Sequence, residues 1–286
     1  MEGFVEAMKR LTATTWISNY AVRPSKLFVG VDMNLTIVVS QVTKKVTQRI
    51  EYTTTYQRWN PEYREFLFQN ISYIQVSDFQ RLFKFAVPKL RSDIERQIMT
   101  KIYGQKRTLE LVSPGKRVTK QQLCYRTAGG RYYKIFVDKP FDSESKSNKA
   151  TSLLEEIDVR VVLAVLSSNL WWWYYTLHFD MYNCKDYMIF GFPFSYPSEK
   201  PILGQLSDLG EILVADLFNN AHRKAQDYAT TGNREQIIFE PSRSKPIIDK
   251  VDRILAEHYG FTEEELDFII NYDIKYRMGK DSVEDE

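Results

Sequence analysis

Basic and tyrosine side chains interleave in the middle of the sequence, and these residue types favour contact with a polyanion. Residues 84–139 contain 14 Lys and Arg against 4 Asp and Glu, although the whole chain has a net charge of only +2. Lys and Arg neutralise phosphates, and Arg also pairs with guanine edges. Alternatively, Arg126 and Arg131 pair with acidic groups and only hold the local structure. The residues predicted to contact DNA are Lys106, Arg107, Arg117, Lys120, Arg126, Arg131 and Lys134.

A double glycine lies inside this basic segment. Gly129-Gly130 predicts a chain reversal followed by a strand, and glycine lets the backbone approach a phosphate closely. On that strand Tyr132 and Tyr133 lie on opposite faces, so one packs inward while the other faces a ligand. The pattern therefore predicts a basic β-hairpin at a binding surface.

Residue types with catalytic chemistry do not form a complete motif. His178, His222 and His258 have no second ligand at helical spacing, and the chain has no P-loop, dinucleotide-binding or nucleophile-elbow sequence. Cys124 and Cys184 lack zinc-ligand spacing, and so few cysteines indicate a reducing compartment. We expect no metal site, no catalytic residue and no cofactor-binding residue in this chain, and a cytoplasmic location.

Two stretches match catalytic motifs only in part. Asn60-Pro61-Glu62-Tyr63 is similar to the Asn-Pro-Pro-Tyr loop of amino-methylating enzymes, but Glu62 replaces the second proline, so an ordinary turn is the better interpretation. Asp142, Glu144 and Lys146 match the residue types of a metal-dependent nuclease. That chemistry needs an acidic residue on a neighbouring strand, and these three lie together in one polar loop.

The first elements are predicted from hydrophobic spacing. Phe4–Leu11 has helical spacing, while Thr15–Tyr20 and Leu35–Val39 read as strands. The second strand is apolar on both faces, which is typical of a sheet covered on both sides. The beginning of the chain therefore resembles the end of a larger α/β domain. The weak alternation over Thr43–Ser77 favours further strands.

The middle of the chain mixes helices and loops. Asp78–Phe85 is predicted as a short helix, and Pro88 can open a second helix that runs to about Ile102. Phe141–Ala150 is polar and is predicted as a surface loop. Met188–Pro193 is predicted as a short strand.

Val161–Phe179 carries no charged residue over 19 positions. A buried helix to about Leu177 is predicted, because Ser167, Ser168 and Asn169 would lack hydrogen-bond partners in lipid. A membrane-spanning helix is the alternative for this segment. The aromatic run Trp171–Tyr175 is alternatively an interface surface.

The last third is predicted to be helical. Ser207 to about Thr230 has a wide apolar stripe, and a polar connector follows at residues 231–241. A further helix starts at Ser244 or Lys245 and ends at Gly260. Thr262 and Glu265 form a capping box for the next helix. Residues 250–286 contain 5 basic and 11 acidic residues, so the tail is acidic.

Several of these stretches together resemble one family. WISNYAVRPSKLFVGVDMNLTIVV (Trp16–Val39) is similar to the late strands of S-adenosylmethionine-dependent DNA adenine-N6 methyltransferases, especially the type IIG restriction–modification enzymes. Tyr125–Pro140, LSSNLWWWYY and Ser244–Gly279 are similar to the target-recognition and C-terminal segments of that family. The loop residues that match near the family's target-base pocket are Arg23, Pro24, Leu27, Phe28, Gly30 and Val31, of which Arg23, Pro24 and Phe28 are our site candidates.

The resemblance implies an α+β fold. It implies the terminal hairpin of a Rossmann-like methyltransferase sheet at residues 1–45, a mixed α/β target-recognition domain at 46–200 and a helical region at 201–286. The family's glycine-rich cofactor motif and Asn-Pro-Pro-Tyr loop would lie upstream of Met1. We therefore expect a fragment that is inactive on its own.

The implied partners are double-stranded DNA and a missing N-terminal methyltransferase domain, with no membrane. S-adenosylmethionine is implied for the complete enzyme, and we expect this chain alone to bind no cofactor. The alternative function is a structural or subunit-interaction domain without its own DNA affinity.

Overall fold

The chain has a mixed α+β fold, as predicted, in a computed structural model that describes residues 2–43, 45–76, 86–109, 120–130, 132–141, 145–197, 200–228 and 232–277. It divides into two compact units, Met1–Gln97 with Thr176–Asp180 and Ile98–Tyr175 with Met181–Glu286. The elements in chain order are α1 (Glu2–Leu11), β1 (Thr12–Tyr20), β2 (Leu35–Val42), β3 (Ile50–Gln57), β4 (Ile74–Gln75), α2 (Asp93–Tyr103), β5 (Gln122–Arg126), β6 (Phe136–Val137), β7 (Asn148–Ser152), α3 (Val159–Ser167), α4 (Asn169–His178), α5 (Asp186–Phe190), α6 (Lys200–Asn219), β8 (His222–Tyr228), β9 (Gly232–Ile238), α7 (Lys245–Tyr259), α8 (Glu263–Ile270) and α9 (Ile274–Arg277).

The first unit is built on a four-stranded sheet in the order β2-β1-β3-β4. β1 pairs antiparallel with β2 and parallel with β3, and β3 pairs antiparallel with β4. Tyr20, Leu27, Trp59 and Leu67 form a buried cluster in this unit. The helix and the two strands predicted at the start of the chain are confirmed, and the sheet continues into β3.

The strand β2 lies at one end of this sheet and pairs with β1 alone among the described strands. Its sequence, LTIVVSQV, contains no charged residue and no proline. Val38, Val39 and Val42 are 39%, 58% and 72% exposed. The apolar pattern predicted that both faces of this strand would be covered by other elements. Within the described part of the chain, these valines are not covered.

The helix predicted to open at Pro88 begins only at Asp93. The backbone N–H of Lys89 donates to the carbonyl of Leu177 in α4 at 3.1 Å, so the residues before α2 bond to another element instead of forming a helical turn of their own. The short helix predicted at Asp78–Phe85 lies outside the described residues.

The second unit contains a three-stranded antiparallel sheet in the order β6-β5-β7. β7 occupies the end of the segment predicted as a surface loop at Phe141–Ala150, so that prediction is wrong there. The strand predicted at Met188–Pro193 is instead the short helix α5, in which the N–H of Ile189 donates to the carbonyl of Lys185.

The uncharged run after Val161 is buried as predicted, but it forms two helices rather than one. Ser168 separates them in an extended conformation with φ −68° and ψ 156°. Its hydroxyl donates to the carbonyl of Val165 at 2.6 Å and accepts from the N–H of Trp171 at 3.0 Å, so one side chain serves both helix ends. Among the described residues, no helix is long and apolar enough to cross a membrane.

The helices α3 and α6 approach each other closely at Gly210. A Cβ atom added at Gly210 would lie 2.0 Å from the carbonyl oxygen of Arg160. Two polar contacts flank this point, because the Ser207 hydroxyl donates to Asp158 at 2.6 Å and Arg160 donates to Glu211 at 2.8 Å. The glycine is therefore required for the helix pair to close.

A two-stranded antiparallel ribbon, β8–β9, follows α6. Its register pairs His222 with Ile238 at the base and Tyr228 with Gly232 at the far end. The predictions for this stretch, a helix to about Thr230 and then a polar connector, are wrong because α6 ends at Asn219 and both following segments are strands.

The end signals of the last helices are confirmed. Gly260 follows α7 in the left-handed region at φ 69°, which favours glycine. Thr262 and Glu265 form the predicted capping box of α8.

A buried polar cluster lies at the start of α4. The Asp252 carboxylate accepts from the N–H groups of Asn169 at 3.2 Å and Leu170 at 3.0 Å, and from the Asn169 side chain at 2.7 Å. Arg277, 4% exposed, donates to the Asn169 side-chain oxygen. An acid therefore caps the donors at the start of α4, where negative charge is favoured.

Candidate nucleic-acid interface

Three of the predicted DNA contacts, Lys106, Arg107 and Lys120, lie on the surface of the second unit. The backbone around Arg107 is held in place, since the N–H of Phe194 donates to the Arg107 carbonyl at 3.0 Å and the N–H of Leu109 donates to the Phe192 carbonyl at 3.0 Å. An exposed cation on a fixed backbone can meet a phosphate at a defined position.

The double-glycine reversal is confirmed, but Lys134 has a different role from the one predicted. Gly129 and Gly130 have φ values of 84° and 61°. The Lys134 ammonium donates to the carbonyls of Met181 at 3.3 Å and Tyr182 at 3.0 Å, and also to that of Gly129. The side chain is only 5% exposed. Lys134 is therefore removed from the set of DNA contacts, because its charge is held inside the protein.

Replacing Lys134 with methionine should lower the free energy of unfolding by about 2 kcal/mol, because buried carbonyls lose their donor. Affinity for DNA at fixed fold should stay unchanged. Urea denaturation and a DNA titration measure the two effects. Lys146→Met, at an exposed position, is the control and should change stability by less than about 0.5 kcal/mol. A loss of DNA affinity without a loss of stability would show that Lys134 contacts DNA.

Arg126 contacts the protein itself. Its guanidinium lies 5.2 Å from the centre of the Phe141 ring, and its Nη2 donates to the Ile237 carbonyl at 3.5 Å. These contacts to a ring and to a carbonyl favour the alternative in which Arg126 holds the local structure. Arg117 and Arg131 lie outside the described residues.

Other cations of the basic segment also bind within the protein. Lys101 donates to Glu265 at 2.5 Å and to the Gly260 carbonyl at 2.8 Å. The Lys139 ammonium lies 4.1 Å from the centre of the Phe218 ring. The Lys101 charge is therefore paired with a carboxylate, whereas Lys139 is exposed and still adds positive charge to the surface.

Tyr132 and Tyr133 precede the strand instead of forming it, since β6 begins at Phe136. The Tyr133 hydroxyl donates to the carbonyl of Ser167 at 2.8 Å. The predicted inward position of one tyrosine is thus occupied by Tyr133.

The ammonium group of Lys89 is buried. Sequence reasoning counted this residue only as one of the positive charges of residues 84–139. In the first unit its ammonium lies 3.0–3.5 Å from the carbonyls of Thr176, Leu177 and Phe179, and 5.1 Å from the centre of the Tyr56 ring. Burial lowers the pKa of Lys89 to about 7. The contacts place it at the carbonyl end of α4, where a cation is favoured.

The loop between β1 and β2 carries the three residues matched to a target-base pocket. Phe28 is 56% exposed, and Pro24 is also exposed. Asp32 lies 2.8 Å from the Lys26 ammonium and 3.9 Å from the Arg23 guanidinium. The loop thus presents an aromatic ring beside paired charges in the first unit.

The segment beginning at Asn60 is a turn, as interpreted. The residues Pro61–Phe66 form a short 3-10 helix, in which the N–H of Tyr63 donates to the Asn60 carbonyl at 3.0 Å. Arg64 donates to the carbonyls of Lys26 at 3.0 Å and Leu27 at 2.7 Å, which ties this segment to the β1–β2 loop. Of the nuclease-like residues, Asp142 and Glu144 lie outside the described residues.

Metal ligation has no support in the described ranges, where no three His, Cys, Asp or Glu side chains are grouped to hold an ion. His222 lies 3.2 Å from a carboxylate oxygen of Glu240, and the ring of His258 lies 5.1 Å from that of Phe194. Both histidines contact the surrounding protein.

Sequence reasoning missed the ribbon β8–β9, in which Arg223 and Lys224 are exposed. One turn signal was present, because the dipeptide Gly232-Asn233 is typical of a hairpin connection. Neither HRKAQDY nor GNREQII, however, alternates apolar and polar residues as a half-buried strand does.

Comparison of the chain with protein-family models, with curated proteins and with solved structures found no match in any of the three.

Proposed function

We propose that this chain is the DNA-recognising part of a site-specific DNA adenine-N6 methyltransferase of the restriction–modification kind. The observation that carries the DNA part is the exposure of Lys106, Arg107 and Lys120 on the second unit. Phosphate contacts of this kind position a protein on duplex DNA, and base contacts then specify the sequence.

The methyltransferase part of the proposal is supported by the sequence resemblance over Trp16–Val39. In the proposal, β1 and β2 are the terminal hairpin of a Rossmann-like sheet, and a methyltransferase domain outside this chain holds S-adenosylmethionine and the catalytic loop. That domain extracts adenine from the duplex and methylates it. The complete enzyme acts in the cytoplasm, and this chain alone has no methyl-transfer activity.

The edge of β2 that pairs with no described strand favours a second candidate function, which is subunit interaction without DNA affinity. An uncharged strand edge with exposed valines invites pairing with another chain, and proteins normally protect such edges with charges or proline. The same edge is compatible with the first proposal, in which a methyltransferase domain covers it. Salt dependence separates the two functions.

The full chain should bind a fluorescent 30-base-pair duplex with an affinity that falls steeply between 50 and 300 mM NaCl. Lys106→Ala/Arg107→Ala should weaken binding to all sequences and reduce the slope of log affinity against log salt by about two. The double variant Lys146→Ala/Lys250→Ala removes the same charge from exposed positions elsewhere and should leave the slope unchanged. Fluorescence anisotropy measures all three proteins.

Absence of binding even at 50 mM NaCl would contradict the DNA proposal and leave subunit interaction. Equal slopes for both double variants would show that Lys106 and Arg107 do not contact phosphate.

A further inference from the structure

Met181 has an unusual backbone conformation for its residue type. Its φ of 66° lies in the left-handed region, which glycine adopts freely but a bulky side chain adopts only at a cost in free energy. Strained residues of this kind persist where the surrounding contacts fix them, and they are concentrated at functional sites. The turn at Met181, between α4 and α5, is therefore a candidate for a binding role.

Buried side chains fix this turn through its backbone. The Lys134 ammonium donates to the carbonyls of Met181 at 3.3 Å and Tyr182 at 3.0 Å. The Tyr175 hydroxyl donates to the carbonyl of Asn183. Three successive carbonyls of the turn thus have a buried donor, so the shape of the turn is set by the protein itself.

The fixed turn presents the side chain of Tyr182 at the surface. Tyr182 is 49% exposed, whereas Lys134 and Tyr175, which hold the turn, are buried. Lys185, three residues further along the chain, is also exposed. A ring in a defined position beside an exposed cation suits a partner that offers a flat aromatic face next to negative charge, as a base and its phosphate do.

Two acidic residues flank the turn in sequence, and both have a basic neighbour. Asp186 pairs with Lys149 at 2.6 Å. In the first unit, the charge of Asp180 partly offsets the lowering of the Lys89 pKa by burial. Both acids thus act on lysines, and the exposed Lys185 adds a positive charge beside the ring, which favours a polyanion.

The same chain segment leads to one of the proposed phosphate contacts. α5 begins at Asp186, four residues after Tyr182, and contains only five residues. After this helix, the N–H of Phe194 donates to the Arg107 carbonyl at 3.0 Å. The turn that carries Tyr182 and the backbone of Arg107 are therefore connected through one short helix of the second unit.

We propose that the Tyr182 ring fills the gap that opens in duplex DNA when adenine is extracted from the helix. This inference rests on the proposed function, in which a methyltransferase domain outside this chain extracts the base. It adds a residue of this chain that stabilises the extracted state. Extraction leaves the neighbouring bases without a stacking partner, and an inserted aromatic ring restores that stacking. An intact duplex has no gap, so the ring adds little to ordinary binding.

The test compares binding of the full chain to two fluorescent 30-base-pair duplexes, which are identical except that one adenine is replaced by an abasic site. The abasic site provides the gap without extraction of a base. The unaltered chain should bind the abasic duplex at least about 5-fold more tightly than the intact one. Tyr182→Ala should bind both duplexes equally, whereas Tyr182→Phe should keep the preference.

Tyr187→Ala is the matched control, because Tyr187 is 44% exposed but lies in α5 rather than on the turn. This variant should keep the preference for the abasic duplex. A 2-aminopurine base placed beside the abasic site reports stacking directly. The unaltered chain should lower its fluorescence, and Tyr182→Ala should not. Circular dichroism confirms that each variant is folded.

Equal affinity of the unaltered chain for the two duplexes would overturn the inference, while salt-dependent binding to both would leave the DNA proposal in place. A preference that persists in Tyr182→Ala would also overturn it, because another residue would then fill the gap. Absence of binding to either duplex at 50 mM NaCl would contradict both proposals.

Discussion

Gly210→Ala should lower the free energy of unfolding by about 3 kcal/mol. The added methyl group would lie 2.0 Å from the Arg160 carbonyl oxygen and 2.7 Å from its carbonyl carbon. Both are backbone atoms, so no side-chain rotation relieves the clash. The contacts from Ser207 to Asp158 and from Arg160 to Glu211 on either side would have to stretch if the helices separated.

Gly204→Ala is the matched control, because it lies in the same helix with nothing within 4 Å of the added Cβ atom. Alanine favours helix over glycine, so this variant should be more stable by about 0.5–1 kcal/mol. Urea denaturation followed by far-ultraviolet circular dichroism measures both. Similar shifts of the same sign in the two variants would contradict close contact between α3 and α6 at Gly210.

Asp252→Ala should cost about 3–5 kcal/mol of stability, because it leaves buried donors and a buried arginine without their acid. Three hydrogen bonds to Asn169 and Leu170 are lost, and Arg277 remains almost inaccessible to water. Asp249→Ala, one turn earlier in α7, is the control. Asp249 is half-buried and pairs with Lys245 at 2.6 Å. It also accepts from the Asn169 side chain at 3.3 Å, but that amide keeps its shorter bond to Asp252, so removal of Asp249 should cost no more than about 1 kcal/mol. Equal losses would show that the cluster does not depend on Asp252.

The same residue should give a pH signature. Burial raises the pKa of Asp252 from its ordinary value of 3.8 to about 7, although its hydrogen bonds and the positive charge of Arg277 act to lower that pKa. Between these values the folded state binds more protons than the unfolded state, so the Asp252 contribution to stability decreases as pH rises and levels off above about 7. The stability difference between the unaltered chain and Asp252→Asn should therefore be larger at pH 5 than at pH 8. No change in that difference would contradict the raised pKa.

The sequence predicted elements whose limits are set by local chemistry. Gly260 ends α7 because glycine readily adopts the left-handed conformation. Thr262 and Glu265 start α8 because they are three residues apart, which is the spacing of a capping box. The break at Ser168 was not predicted, because a serine inside an apolar run has the same local signal whether its hydroxyl caps a new helix or bonds back within one.

Charge roles were harder to predict than elements. Lys106 and Lys134 look alike in the sequence, yet one is exposed and the other lies among carbonyls from distant residues. The ribbon was missed for a related reason, since the apolar stripe of α6 continues to Phe218 and gives little warning that the helix ends at Asn219. Such distinctions depend on contacts between residues far apart in the sequence.

The two cysteines make the folded chain suitable for attaching a reporter at a chosen position. Cys124 and Cys184 are 1% and 0% exposed, and burial raises their thiol pKa values to about 11 and about 12. Since the thiolate is the reactive form, maleimides at neutral pH have little to attack in the native protein. A single cysteine introduced at the exposed position of Lys224 would therefore carry a fluorophore alone, and energy transfer to an end-labelled duplex would test whether this position approaches DNA without removing either native thiol.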